Sequence, residues 1–252
     1  MKMNNIILKI KNLKKNYHDK NGEVLAIDDI TLDIYDKDFV SIVGPSGCGK
    51  STLLSILSNL EKQTSGEIEL KYSDLKIGYM LQSDSLFPWR TILENCLIGL
   101  EISNNVNTDT KNRVIDLLNK YGLKDFINKY PSSLSGGMKQ RVALIRTLAT
   151  DPDILILDEP YSALDYQTRL ALSDDVYKII KNEGKTAIMV THDLAEAISM
   201  SNKIVVLTKR PAKVKRIYDI ILTGASTPID NRKCKEFSTY YDNIWKDLDV
   251  HV

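Results

Sequence analysis

The first third of the chain carries short apolar runs that predict β-strands. Ile6 to Ile10 is a β-branched run broken by one lysine, and Ala26 to Ile34 mostly alternates apolar with polar residues. Asn21-Gly22 between them is a turn signal, so the two runs predict an antiparallel layer. Further strands are predicted at 39–43, 67–70 and 77–80, with a helix at 50–60.

The rest of the chain alternates between helical and strand-like patterns. Apolar residues recur at three- and four-residue steps in helical segments at 92–102, 109–121, 137–149, 168–182 and 193–199. Strand-like runs stand at 154–157, 186–190 and 204–207. Such alternation favours an α/β fold with a mostly parallel sheet. We therefore predict one domain, residues 1–252, with a helical insertion subdomain at about 86–150.

Composition and charge exclude several classes of protein. The chain has 34 basic and 33 acidic residues, a balance that gives no general electrostatic reason to expect a nucleic-acid partner. Cys48, Cys96 and Cys234 are odd in number and far apart, which argues against a disulfide framework or a zinc site and favours the cytosol. No apolar run approaches the roughly 18 residues of a membrane-spanning helix. If the protein acts at a membrane, another chain must span it.

A glycine-rich segment carries the strongest chemical signal in the chain. The segment reads GPSGCGKST and consists of Gly44, Pro45, Ser46, Gly47, Cys48, Gly49, Lys50, Ser51 and Thr52. It follows a strand and opens a helix, as a phosphate-binding P-loop does. Its backbone amides can surround phosphate oxygens, Lys50 can reach the β- and γ-phosphates, and the Ser51 hydroxyl can bind Mg²⁺. The plainer alternative is a glycine-rich turn before a helix.

Two carboxylates follow the predicted strand at 154–157, where the sequence reads ILILDEP. Asp158 is expected at the carboxyl edge of the sheet beside the P-loop, where it can organise the magnesium shell. Glu159 can polarise the attacking water. By themselves, the two carboxylates could equally be a helix cap or a solvated turn. The P-loop upstream favours the catalytic interpretation.

Several further motifs appear in a fixed order. Leu134 to Met138 reads LSGGM, Ser162 to Asp165 reads SALD, and Thr191-His192-Asp193 follows the strand TAIMV. With Gln82 after a strand and Tyr17 upstream of the P-loop, the chain from Tyr17 to about Thr208 resembles the ATP-binding subunits of ABC transporters. The resemblance implies an ATP-hydrolysing protein that binds ATP and Mg²⁺. Met138 replaces the usual glutamine of the signature motif, which we interpret as a subgroup trait.

The resemblance also implies a role for each motif. The signature loop of one subunit, here Ser135, Gly136 and Gly137, completes the nucleotide site of a second copy, so the working form is a homodimer. Glu159 acts as general base in the in-line attack of water, His192 contacts the γ-phosphate, and Gln82 senses the metal and the water. Tyr17 stacks on adenine, and Asp165, in the D-loop motif SALD, contributes to nucleotide binding. A lone histidine or tyrosine could instead be an ordinary packed residue.

Finer features suggest the kind of transporter. The sequences LFPWRTILE at 86–94 and KRPAKV at 209–214, with Met138, resemble importer ATPases of the nitrate, sulfonate and taurine group. This implies transmembrane permease subunits, an extracytoplasmic substrate-binding protein, and a peripheral position on the cytoplasmic face of the cell membrane. Phe87, Pro88 and Trp89 are expected to contact the permease. Alternatively, they only pack the helical insertion.

Two other classes of function remain open. Soluble ABC ATPases act in DNA repair or translation, but repair types carry long coiled-coil insertions and translation types usually carry two cassettes. A P-loop kinase would not require the signature loop or the histidine. The basic run Lys209 to Arg216 is interpreted as a solvated strand face, and the alternative is contact with anionic lipid heads or with the permease. The segment after Asp230 predicts a helix.

Overall fold

The computed structural model describes residues 5–19, 22–162, 164–223 and 226–248. The strands are β1 Ile6–Asp19, β2 Gly22–Tyr35, β3 Phe39–Val43, β4 Ser65–Leu70, β5 Ile77–Met80, β6 Ile154–Asp158, β7 Thr186–Val190, β8 Lys203–Leu207 and β9 Val214–Asp219. The helices are α1 Lys50–Leu57, α2 Ile92–Ile102, α3 Thr108–Lys120, α4 Gly136–Ala149, α5 Tyr166–Asn182, α6 Leu194–Met200, α7 Pro228–Asn231 and α8 Lys235–Asp247. The predicted α/β class, with an antiparallel layer and a mostly parallel sheet, is confirmed.

The larger sheet determines where the functional loops meet. Its strand order is β5-β6-β7-β3-β8-β9, and the first five strands are parallel while β9 runs antiparallel to β8. All five residues of β3 and of β7 are buried, because elements cover both faces of a parallel sheet. The segments that follow β3, β5, β6 and β7 therefore leave the sheet at one edge.

The smaller sheet has the order β2-β1-β4. Strands β1 and β2 are 14 residues each, so the predicted runs at 6–10 and 26–34 were too short. The polar part of β1 continues the pairing through register shifts. Asn12 and Asp29 have positive φ there, and the Asn12 side-chain amide donates to Asp29 at 3.0 Å. At the turn, Gly22 pairs with Asp19, while Asn21 lies outside the described residues.

The predicted helices occur close to their expected positions. Helix α2 begins after Thr91, whose hydroxyl accepts from the backbone of Glu94 while the Glu94 carboxylate accepts from the Thr91 amide. Helix α1 ends at Leu57 rather than near residue 60, since Asn59 turns into a left-handed conformation with φ 55°. Helices α2, α3 and α4 share a core that is continuous with one face of β6. The boundaries of a helical subdomain at 86–150 stay a prediction.

The C-terminal segment packs beside helix α6. Ile244 of α8 is fully buried in a cluster with Leu194 and Ile198 of α6, and the predicted helix after Asp230 is α8. The basic run at 209–216 extends into β9. Lys213, just before the strand, pairs with Asp28 at 2.9 Å, and Arg216 on the strand pairs with Asp247 at 3.3 Å. Within the described ranges, no helix is long and apolar enough to cross a membrane.

Candidate nucleotide site

The glycine-rich segment forms a tight loop between β3 and α1. Gly47 and Gly49 have φ of 70° and 120°, values that favour glycine. A Cβ on Gly49 would also stand 3.1 Å from the carbonyl oxygen of Ala26. No side chain caps the N-terminus of α1, so its first amides remain available to an anion.

This loop forms one wall of a cavity of about 620 Å³. The residues that line the cavity are Gly44, Ser46, Gly47, Gly49, Lys50, Ser51, Thr52, Glu159 and His192. The structure thus brings most of the predicted P-loop together with the two predicted catalytic residues from β6 and β7. Pro45 and Cys48 are not part of this lining. Cys48 is 1% exposed, and its Sγ lies 3.9 Å from Lys50 Nζ.

Lys50 places a buried positive charge at this wall. Its side chain is nearly enclosed, and Nζ donates to the carbonyl oxygens of Gly44 at 2.7 Å and Pro45 at 2.9 Å. These acceptors satisfy the hydrogen-bond donors of the ammonium without neutralising its charge. A buried cation of this kind is stabilised by an anionic ligand such as a phosphate.

The two adjacent carboxylates occupy different surroundings. Asp158 is held by the phenol of Tyr79, which donates at 2.9 Å. Burial raises the pKa of the Asp158 carboxyl, and neighbouring Glu159 raises it further, while Tyr79 and Lys50 lower it. Asp158 is absent from the cavity lining given above. Tyr79 is a contact that the sequence analysis did not predict, because nothing in a β-strand pattern marks one tyrosine as a hydrogen-bond donor.

Glu159 connects Gln82 with His192. One of its carboxylate oxygens lies 3.2 Å from His192 Nδ1 and accepts from Gln82 Nε2 at 3.3 Å. Gln82 also donates to the hydroxyl of Ser162 at 3.1 Å. Three residues predicted from separate motifs therefore meet at the edge of the sheet. A carboxylate held beside a polar cavity can accept a proton from water.

The donor set fits a magnesium ion. Mg²⁺ prefers oxygen ligands and usually keeps several waters and substrate phosphates, so it needs few protein ligands. Ser51 lines the cavity beside Lys50, and Asp158 at the end of strand β6 and Gln82 after strand β5 stand at the same sheet edge. Among the described residues, no cluster of three His, Cys, Asp or Glu side chains could hold a metal by itself. Phosphate oxygens would have to complete the shell.

The signature loop lies apart from this cavity. Ser135 caps α4 by accepting from the Met138 amide at 3.4 Å. A Cβ on Gly136 would stand 3.0 Å from Leu164, and one on Gly137 would stand 3.3 Å from Thr168. The loop therefore packs closely against the start of α5. In the described part of this chain, no signature residue lines the cavity.

Asp165 and Tyr17 also stand outside the lining of the cavity. Asp165 caps α5 by accepting from the Thr168 amide at 3.0 Å, and this contact with Thr168 lowers the pKa of its carboxyl. Ala163, within the SALD motif, lies outside the described residues. The Tyr17 phenol donates to Glu61 at 2.7 Å and lies 3.3 Å from the Thr52 hydroxyl. Lys15 Nζ lies 4.8 Å from the centroid of its ring, and the Tyr17 side chain is 37% exposed.

Two residues that the sequence analysis missed shape the segment after Gln82. Arg146 of α4 donates to the carbonyl oxygens of Asp84 at 2.7 Å and Ser85 at 2.8 Å. Asn95 is fully buried; its amide accepts from the Phe87 backbone at 2.7 Å and donates to the Phe87 carbonyl at 3.1 Å. Helical periodicity places Asn95 on the apolar face of α2. A polar residue on that face was the signal by which the sequence could have revealed its structural role.

The uncapped helix terminus, the buried lysine and the carboxylate across the cavity define a nucleotide-binding protein of the P-loop class. A family model described as "ABC transporter" matches residues 27–162. The match spans more than half of the chain. The chain therefore belongs to the ABC transporter family, and within it to the ATP-binding proteins that hydrolyse ATP. The predicted class of protein is confirmed.

Curated relatives and solved structures agree with this membership. An uncharacterized ABC transporter ATP-binding protein of Bacillus subtilis is 43% identical over 247 residues, which cover 96% of this chain and 95% of the relative. A taurine import ATP-binding protein of Roseobacter denitrificans is 37% identical over 235 residues, covering 91% and 88%. A dimeric ATP-binding cassette solved with ADP and Pi has a TM-score of 0.71 at 32% identity, covering 85% of this chain and 99% of its own.

Proposed function

We propose that the chain is the ATP-hydrolysing subunit of an importer and works as a homodimer on the cytoplasmic face of the membrane. The observation that carries the proposal is the division of the nucleotide machinery. Lys50, Glu159 and His192 share one cavity, whereas Ser135 to Gly137 stand elsewhere on the same chain. A second copy, arranged head-to-tail, supplies the missing signature loop, as the dimeric relative with ADP and Pi suggests.

The residues in and around the cavity have separate parts in hydrolysis. Lys50 leaves its backbone acceptors and binds the β- and γ-phosphates together with the amides of the P-loop. Glu159 accepts the proton of the attacking water, and His192 holds that carboxylate while contacting the γ-phosphate. Ser51, Asp158 and Gln82 would hold Mg²⁺, and the ion would supply positive charge that neutralises the phosphates. Ser135, Gly136 and Gly137 of the second copy bind the transferring phosphoryl group through their amides and hydroxyl.

The membrane partner binds at the corner after Gln82. Trp89 is 69% exposed and Phe87 is 39% exposed, and their ring centroids are 5.2 Å apart. Asn95 and Arg146 fix the backbone of this corner, so the aromatic pair is presented on a rigid surface. Exposed aromatics on a rigid support are typical of the centre of a protein interface. The permease docks there, a few residues after Gln82, whose side chain contacts Glu159.

The transported substrate belongs to the nitrate, sulfonate and taurine group. The support is the taurine import relative, together with the LFPWRTILE segment, Met138 and the KRPAKV segment. An extracytoplasmic substrate-binding protein delivers the substrate to the permease. Capture of the chain with ribosomes or DNA instead of a permease would favour the alternative, a soluble ABC ATPase of translation or repair.

Substitution of the proposed general base tests the hydrolytic function. Glu159→Gln keeps the size of the side chain and a hydrogen bond to Gln82 but cannot accept a proton. We expect ATP affinity within about threefold of the parent, a loss of hydrolysis of about a hundredfold or more, and an ATP-dependent dimer on size exclusion.

A matched control substitutes a glutamate outside the cavity. Glu101 pairs with Arg90 on the surface of α2, and Glu101→Gln should hydrolyse ATP at the parent rate. Parent-like hydrolysis by Glu159→Gln would remove Glu159 from the role of general base. Failure of the parent itself to bind ATP would contradict the whole proposal.

A further inference from the structure

Arg169, on the first turn of α5, contacts two loops that belong to different parts of the nucleotide machinery. Its guanidinium donates to the carbonyl oxygen of Leu164 at 3.2 Å and to the Asp193 carboxylate at 3.4 Å. Its Nε lies 3.6 Å from a carboxylate oxygen of Glu196. The side chain is 21% exposed, so these contacts are largely shielded from water.

On one side, these contacts anchor the turn that carries His192. The Thr191 hydroxyl donates to Glu196 at 2.7 Å and accepts from the Asp193 amide at 3.0 Å. The other oxygen of Asp193 caps α6 by accepting from two amides. His192 therefore stands between two tethered neighbours while its own side chain is 59% exposed. Glu196 is 3% exposed, and burial raises the pKa of its carboxyl to about 7.

On the other side, the segment from Leu164 to Arg169 packs against the signature loop. Leu164 lies against Gly136, and Thr168 lies against Gly137, so closely that a Cβ on either glycine would meet them at 3.0 Å and 3.3 Å. A displacement of the signature loop would therefore press on the segment from Leu164 to Arg169. Because Arg169 is bonded to the Leu164 carbonyl and to Asp193, the displacement would reach the turn of His192.

We propose that Arg169 is a positioning residue that couples the signature loop, which serves the partner's nucleotide, to His192, which serves this chain's own nucleotide. The inference rests on the proposed dimeric ATPase and adds a link between its two sites. The planar guanidinium presents several donors in fixed directions, whereas a lysine ammonium is a single point charge on a flexible stem. Substitution of Arg169 by lysine thus keeps the positive charge but loses the fixed directions of the hydrogen-bond donors.

The test compares Arg169→Lys with the parent in steady-state hydrolysis. Nucleotide-binding sites are counted by titration with a fluorescent ATP analogue, so that any loss of folded protein is removed from kcat. We expect KM to stay within about twofold and kcat per binding site to fall about tenfold or more, since ATP still binds while His192 and Glu159 lose their alignment.

Arg141 offers a matched control. It also joins two helices, since it lies on α4 and pairs with Asp175 of α5 at 3.3 Å, and its side chain is 28% exposed. Its guanidinium donates to the Tyr121 carbonyl at 3.4 Å and pairs with Asp175, so it bonds to other partners than Arg169 does. Arg141→Lys should keep kcat and KM within about twofold of the parent, although it removes a comparable ion pair.

A second variant covers the case in which Arg169→Lys does not fold. Asp193→Asn keeps the oxygen that caps α6 but removes the charge that faces Arg169, and it should lower kcat about threefold with KM unchanged. A parent-like kcat in the folded variant, or an equal loss in Arg141→Lys, would overturn the role of Arg169. The parent and Glu159→Gln test the proposed ATPase activity by themselves. A failure of the proposed function would therefore be distinguished from a failure of the role proposed for Arg169.

Discussion

Glu159 adopts a backbone conformation that few acidic residues occupy, with φ of 43°. Left-handed backbone in a residue other than glycine costs about 1–3 kcal/mol and persists only where the surroundings hold it. Here the Glu159 amide donates to the Val190 carbonyl at 2.9 Å, while its carboxylate faces His192. The sharp turn after β6 separates the two carboxylates, so that Asp158 meets Tyr79 and Glu159 meets the cavity.

Tyr17 offers a prediction at the same scale. The resemblance to ABC ATP-binding subunits predicts that adenine stacks on the Tyr17 ring, and stacking of a base on an aromatic side chain is worth about 1–3 kcal/mol. Tyr17→Ala should therefore raise the Kd for ATP about tenfold or more, measured by calorimetry. Tyr17→Phe keeps the ring and loses the hydrogen bond to Glu61, so its Kd should stay within about threefold of the parent.

Tyr72 provides the control for this prediction. It also carries a lysine over its ring, with Lys71 Nζ 4.9 Å from the centroid, and it is 54% exposed. Tyr72→Ala should leave ATP affinity unchanged. An unchanged Kd in Tyr17→Ala would mean that Tyr17 only packs against Glu61 and Thr52.

At the scale of elements, the aromatic corner between β5 and α2 is the surface proposed for the permease. Trp89→Ala should reduce co-purification of the chain with its membrane partner several-fold, because a central aromatic at an interface contributes about 2 kcal/mol or more. ATP hydrolysis by the isolated chain should not change, since Trp89 does not line the cavity. The measurement is a pull-down from detergent-solubilised membranes with an activity assay in parallel.

Trp245 is the matched substitution. It is 44% exposed, stacks on Tyr241 with centroids 6.1 Å apart, and lies on the C-terminal helix α8. Trp245→Ala should co-purify like the parent. Equal recovery of the Trp89 and Trp245 variants would place the permease contact elsewhere on the surface.

For the whole molecule, the proposed division of the nucleotide site between two copies predicts that certain defective variants restore each other's activity. Lys50→Ala disables a chain's own cavity. Ser135→Asp keeps a good helix cap but adds a negative charge that would face the partner's γ-phosphate. Each variant should be inactive as a homodimer. A mixture should recover up to about a quarter of the parent rate, because half of the dimers hold one site with both intact halves.

The control for this experiment mixes two variants whose defects lie in the same half-site. In a dimer of Lys50→Ala with Glu159→Gln, both cavities carry a lesion, so no activity should return. Absence of recovery in the first mixture would contradict the head-to-tail arrangement.

Much of the fold followed from the sequence because strong periodicity marks elements that bury one face. The bounds of β3, β5, β7 and α2 agree with their patterns. The polar half of β1 was missed, since backbone pairing through bulges leaves no alternation to recognise. The order of the strands could not be predicted from the hydrophobic pattern, because β3 pairs with β7 and β8, which are more than 140 residues away along the chain.

For the site, the sequence by itself determined which residues are the candidates for the chemistry: a glycine-rich loop with Lys50, a strand ending in two carboxylates, and the histidine motif. Their residue types and their order lie within short segments, so these motifs can be recognised in the sequence without knowledge of the fold. Only the tertiary structure decided that Asp158 faces Tyr79 while Glu159 faces His192, and that Arg169 joins two loops. Those outcomes depend on distances between distant segments, which the packing of β6, β7 and α5 sets and no local pattern records.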